Sequence, residues 1–122
     1  MNRGLVLALL LLAFVIVLVG ADAILMKDAI NENEARLSAL DETEVATQSE
    51  VSRVLDTFDR TRFLISVSVP LERLNEYDEA LAVLTASVLS GESGAYAAAR
   101  AEAMAALTQI KRSALFSLEQ IL

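Results

Sequence analysis

Three clusters of carboxylates contain the side chains with the most chemical potential in this sequence. They lie at residues 32–34, 41–44 and 76–79. Two carboxylates that face each other across a cleft can act as a general acid and a general base. Within each cluster, however, the acidic residues are near neighbours on the surface of a predicted helix or in a linker. We therefore interpret the clusters as solvated surfaces and predict no catalytic residue.

The side chains that most often bind metals and cofactors are missing. The chain of 122 residues has no cysteine and no histidine, so thiolate and imidazole sites are excluded. Residues 31–34 offer oxygen ligands, but they lack the glycine turn and the spacing of a calcium loop. The net charge of −7, from 17 acidic and 10 basic residues, argues against nucleic acid as a partner. We predict no metal, no cofactor and no enzymatic activity.

The N-terminal segment has the composition of a membrane anchor. Residues from Leu5 to Val19 form an uninterrupted apolar run, and only Asp22 breaks the apolar character before Met26. As a helix, residues 4–26 would span roughly 34 Å at about 1.5 Å per residue. The hydrocarbon core of a bilayer is about 30 Å thick, so this helix can cross it with some tilt. The sequence predicts an anchor at 1–26, which contacts lipid through residues 4–26, and a separate domain at 27–122.

A cleaved signal peptide is the alternative interpretation of the same segment. Ala21-Asp22-Ala23 matches a cleavage site, with cleavage after Ala23. The apolar run continues beyond that site, which favours an uncleaved anchor. Arg3 and the very short tail before the apolar run favour a cytoplasmic N-terminus. We therefore expect a single-pass protein of the cell membrane with residues 27–122 outside the cytoplasm.

The rest of the chain is predicted to be helical, because it contains few residues that break helices. Residues 27–40 should continue the membrane helix outward. Asp41 is a candidate N-cap for a helix that runs to about Val67. Ser68 and Pro70 should begin a second helix, and Gly91 should end it. A last helix is expected at about 95–121, where alanine-rich sequence favours close packing.

The last two helices carry apolar stripes at helical spacing. A short turn between helices of similar length predicts an antiparallel hairpin. The expected fold is therefore all-α, with an N-terminal transmembrane helix and a small antiparallel bundle of about three helices, part of it resembling a coiled coil. The possible helix-packing seam comprises Leu74, Tyr77, Leu81, Leu84, Val88, Leu107, Ile110, Ala114, Leu118 and Ile121.

The order of these features resembles the DUF4363 family of small bacterial membrane-anchored helical proteins. The resemblance rests on the anchor, on the segment from Leu71 to Tyr77 and on the ending from Ser117 to Leu122. It implies the same helical architecture and an uncharacterised function, with no catalytic residues to carry over. The chain departs from the family pattern at Gln120, where Asn is usual.

The predicted membrane anchor, the apolar stripes of the last two helices and the absence of a catalytic or cofactor-binding motif together suggest a binding role. We expect an interaction or scaffold subunit that contacts a protein partner or a second copy of itself. The alternatives are an extracytoplasmic helical module that senses a small molecule, and a secreted helical protein that is released by cleavage.

Overall fold

The computed structural model describes residues 2–121, apart from the side chains of Leu118, Gln120 and Ile121. In this part of the chain all regular structure is helical, which confirms the predicted fold class. The helices are α1 (Arg3–Ser38), α2 (Gln48–Ser66), α3 (Leu71–Ser90) and α4 (Ser93–Ile121).

Helix α1 divides into an exposed part and a buried part. Asn2 caps its start, because the side-chain oxygen accepts a hydrogen bond from the Gly4 backbone N–H at 3.0 Å. The most apolar stretch of α1 has no buried residue, and the helix is long and apolar enough to cross a bilayer. From Met26 onward, every third or fourth side chain is buried, which is the pattern of one helix face packed on a core.

The buried part of α1 is the fourth helix of the bundle. It packs against α2 and α4, while α3 packs against the same two helices and most extensively against α4. Each helix is antiparallel to its neighbour, as in an up-and-down four-helix bundle. The predicted extension of the membrane helix through 27–40 is therefore present, and it is part of the core in addition to the three helices expected from sequence.

Helix α2 begins later than the sequence indicated. Its N-cap is Thr47, whose hydroxyl accepts from the Glu50 backbone N–H at 3.2 Å. Asp41 accepts from the backbone N–H of Glu44 at 2.9 Å, as a cap would, but a loop follows instead of a helix. The predicted start at Asp41 is wrong because this hydrogen bond closes a turn, and the loop after it brings Ala46 into the core.

The turn between α3 and α4 agrees with the prediction. Gly91 has a φ of 71°, and its N–H donates to the carbonyl oxygens of Ser87 and Val88 at 3.1 and 3.2 Å. This left-handed residue ends α3 and satisfies its last carbonyl groups. The small side chains of Ala99 and Ala103 are buried, which lets the two helices approach closely.

Candidate functional site

The predicted packing seam lies inside the bundle. Val88 is half-buried, and the side chains of Leu118 and Ile121 lie outside the described residues. The part of this stripe that the structure describes packs into the protein's own core. The other predicted seam residues, all buried, are Leu74, Tyr77, Leu81, Leu84, Leu107, Ile110 and Ala114.

A polar pair in the core connects α1 to α2. Asn33 is fully buried, and its amide nitrogen donates to the Ala29 carbonyl at 2.8 Å and to the Thr61 hydroxyl at 2.7 Å. Thr61 in turn donates to the Thr57 carbonyl at 2.7 Å. A side-chain hydrogen bond inside an apolar core favours one alignment of the two helices, since a slip would break the bond between Asn33 and Thr61 and leave each group only its bond within its own helix.

The sequence analysis missed Asn33 as a core residue. It lies three residues after Ile30 and four before Leu37, and this spacing places it on the apolar face of α1. That signal was available, but the surrounding Asn and Glu residues suggested a solvated surface.

Two buried polar atoms have no hydrogen-bond partner among the described residues. They are the Asn33 side-chain oxygen and the Tyr77 hydroxyl. The Tyr77 ring packs edge to face on Phe58, with 4.7 Å between ring centroids. Burial raises the pKa of the Tyr77 hydroxyl well above its usual value. The group is therefore neutral at physiological pH.

Carboxylates of the clusters at 32–34 and 76–79 join helices instead of forming a cleft. Glu34 on α1 pairs with Lys111 on α4 at 3.1 Å, and Arg62 on α2 pairs with Asp78 on α3. Glu32 similarly pairs with Arg60 across α1 and α2. Within the described part of the chain, no three acidic residues converge in a way that could hold a metal ion.

The end of the bundle that contains the α3–α4 turn is held by contacts to the residues that directly follow α1. The Tyr96 hydroxyl donates to the Asp41 carbonyl at 2.6 Å, and the Arg100 Nε donates to the Leu40 carbonyl at 3.2 Å. A cation near the last carbonyl groups of a helix also interacts favourably with the helix dipole. The backbone N–H groups of Glu44 and Thr43, together with the Thr43 hydroxyl, lower the pKa of the Asp41 carboxyl.

The opposite end of the bundle, which we call the base, exposes large apolar side chains. The basal patch is defined as Phe63, Val67, Leu71, Leu115 and Phe116, all of which are exposed. Phe63, Leu115 and Phe116, like Leu64 and Ile65, extend the apolar sequence beyond one narrow helix face, and this pattern predicts core in preference to an oligomer seam. The structure corrects this, since only their neighbours are buried or half-buried.

A shallow apolar groove lies between α1 and α4 at the base. It is lined by Met26, Ile30 and Ala114, with the ammonium-bearing side chains of Lys27 and Lys111 beside it. Both the groove and the basal patch lie where the exposed apolar part of α1 enters the bundle.

Comparisons with known proteins give no further guidance. No family model, no curated protein and no solved structure matches this chain. The resemblance to the DUF4363 family therefore stays a prediction.

Proposed function

We propose that this chain is a single-pass membrane protein whose bundle serves as an interaction subunit outside the cytoplasm. The observation that carries the proposal is the double nature of α1. One continuous helix is apolar and fully exposed over its first part and is a core helix of the bundle over its last part. Such a helix would hold the bundle at a fixed position directly above a bilayer.

A binding role fits the way in which the chemical groups are used. The charged side chains of Glu32, Glu34 and Asp78 pair with cations on neighbouring helices. The buried polar pair of Asn33 and Thr61 joins α1 to α2. These groups therefore stabilise the fold, which supports a subunit that presents a surface to a partner or to a second copy of itself.

Mass spectrometry of the protein recovered from membrane and soluble fractions tests the anchor. We expect the full-length mass in the membrane fraction. Val15→Lys should lower the share of the protein in that fraction, since a lysine in the middle of a span costs about 3 kcal/mol on insertion. Val83→Lys is the matched control on the bundle surface and should leave the distribution of the protein between the two fractions unchanged. In the soluble exported fraction, a mass that matches a chain beginning at Ile24 would overturn the anchor in favour of a secreted protein.

Cysteine labelling tests the orientation, because the chain has no cysteine of its own. On intact cells, a membrane-impermeant maleimide should label Glu92→Cys and leave Asn2→Cys unlabelled, while both should react after permeabilisation. The reverse pattern would contradict the proposed topology. Crosslinking in the native membrane tests the interaction role, and a product that remains entirely monomeric would count against it.

A further inference from the structure

The basal patch groups large exposed apolar side chains at the end of the bundle where the apolar part of α1 enters it. Phe63 is 78% exposed and Leu71 is 65% exposed. Large apolar groups with this exposure are unusual when several occur together on one end of a water-soluble fold. They need an apolar environment, and the position of the patch identifies which one is close.

Hydrogen bonds and ion pairs between helices fix the level of the patch along α1. Thr61 lies level with Asn33, so Phe63 and Val67, further along the antiparallel helix α2, lie level with the residues just beyond Met26. The pair between Lys111 and Glu34 places the following residues of α4 at the same level.

The end of α4 also meets the connection between α2 and α3. The Ser117 hydroxyl donates to the Ser68 carbonyl at 2.9 Å. Leu71, the first residue of α3, therefore lies beside this contact. The other three helices of the bundle thus expose apolar side chains, or end in them, at the level where the apolar span of α1 ends.

The two ends of the bundle differ in charge. Lys27 and Lys111 lie at the groove of the base. The opposite end carries the exposed carboxylates of Asp41, Glu42 and Glu44. The base also exposes the carboxylates of Asp28, Glu72 and Glu119, so its charge is mixed, and an anionic bilayer surface repels the opposite end more strongly than the base.

We infer that the base of the bundle rests in the lipid interface. The basal patch is immersed at the boundary of headgroups and acyl chains, and Lys27 lies near lipid phosphates. A flat surface across the bundle axis touches α2, α3 and α4 together, which matches a patch spread over three helices. This inference rests on the proposed membrane anchor, because the span is what brings the base to the bilayer.

Single tryptophans provide the test, since the native chain has none. The variants are Leu71→Trp at the base and Leu89→Trp at the opposite end of the same helix. Leu71 and Leu89 are both leucines with 65% exposure, so they form a matched pair. Val15→Trp reports on the span. Each full-length variant is reconstituted into vesicles of anionic lipid with or without bromine on the acyl chains, and the indole is excited selectively over tyrosine.

Bromine should reduce the emission of Val15→Trp and Leu71→Trp and leave that of Leu89→Trp unchanged. Loss of emission for Val15→Trp alone would keep the anchor and overturn the lipid-facing base. A Leu71→Trp emission that is blue-shifted but not quenched would also overturn it, since a second copy would then cover the patch. Equal loss for Leu71→Trp and Leu89→Trp would contradict the upright orientation. No loss for Val15→Trp would overturn the anchor and the base together.

Discussion

At the scale of single residues, two buried tyrosines differ in whether their hydroxyl groups are hydrogen-bonded. Tyr96 and Tyr77 are both buried tyrosines, yet among the residues that the structure describes only the Tyr96 hydroxyl has a partner, the carbonyl of Asp41. A buried hydroxyl without a partner lowers stability by its desolvation, whereas a satisfied one contributes about 0.5–1.5 kcal/mol. The two tyrosines therefore give opposite expectations for the same substitution.

Tyr77→Phe should raise the free energy of unfolding by up to about 1 kcal/mol, because it removes an unpartnered hydroxyl and keeps the ring packing on Phe58. Tyr96→Phe should lower it by about 1 kcal/mol, because the Asp41 carbonyl loses its donor. Thermal unfolding of both variants in the same detergent measures the difference. A loss of stability in Tyr77→Phe would show that its hydroxyl has a partner after all.

The carboxyl of Asp41 predicts a dependence of stability on pH. Its pKa in the folded protein lies below the usual value of 3.8, because the backbone N–H groups of Glu44 and Thr43 favour the charged form. Its contribution to stability is therefore present above pH 3.8 and is lost as the pH falls through the lower, folded pKa. Asp41→Asn, which resembles the protonated carboxyl, should have a slightly lower Tm at pH 7. The two Tm values should converge in acid, and a constant difference at all pH values would contradict this cause.

At the scale of elements, the ends of the helices are set by local conformations that the sequence reveals unequally. Gly91 adopts a left-handed conformation to end α3, and the residue type alone announces it. The start of α2 depends instead on the tertiary structure, because the loop after Asp41 must be long enough to place Val51 in the core. Thr47 is therefore the cap although Asp41 has an equally suitable side chain.

Gly91 and Gly94 allow the need for a left-handed backbone conformation to be distinguished from the general effect of replacing glycine by alanine. Gly91→Ala should lower the free energy of unfolding by roughly 1–2 kcal/mol, because alanine is strained at a φ of 71°. Gly94→Ala should raise it by about 0.4–1 kcal/mol, because Gly94 lies in the first turn of α4 and a Cβ there meets nothing within 4 Å. Chemical denaturation of the pair tests this, and equal effects would exclude a special role for Gly91.

At the scale of the whole molecule, α1 combines an exposed apolar part with a part that is buried in the bundle. No residue from Asn2 to Leu25 is buried, so the apolar span contributes nothing to the core. Ile30, Leu37 and Leu40 are buried among the other helices, so the last part of α1 is essential to the core. The bundle should therefore depend on residues 24–40 and not on the span.

Two truncated chains test this division. A chain that begins at Ile24 should keep a cooperative unfolding transition with a Tm close to that of the full chain. A chain that begins at Asp41 should have no such transition. Each large core side chain contributes about 2–5 kcal/mol, and the total stability of a typical domain is only about 5–15 kcal/mol. Cooperative folding of the shorter chain would show that α2, α3 and α4 are sufficient, and circular dichroism distinguishes the outcomes.

The sequence by itself determined the features that follow from local composition. The apolar run from Leu5 to Val19 indicates a helix that can cross a membrane, because a bilayer requires only length and hydrophobicity. Gly91 marks a turn because few other residues adopt its conformation at low cost. The stripe that includes Leu74 and Leu81 indicates a buried helix face, because its spacing matches the helical repeat.

Only the tertiary structure decided which apolar residues are covered. Phe63 and Ile65 are both apolar and lie two residues apart, yet Phe63 is exposed and Ile65 is buried. Residues 27–40 have too few apolar positions to reveal from sequence that they pack as a fourth helix, and the burial of Asn33 depends on Thr61 from another helix. These outcomes are non-local, since the burial of a side chain depends on how many helices surround it and at what register they meet.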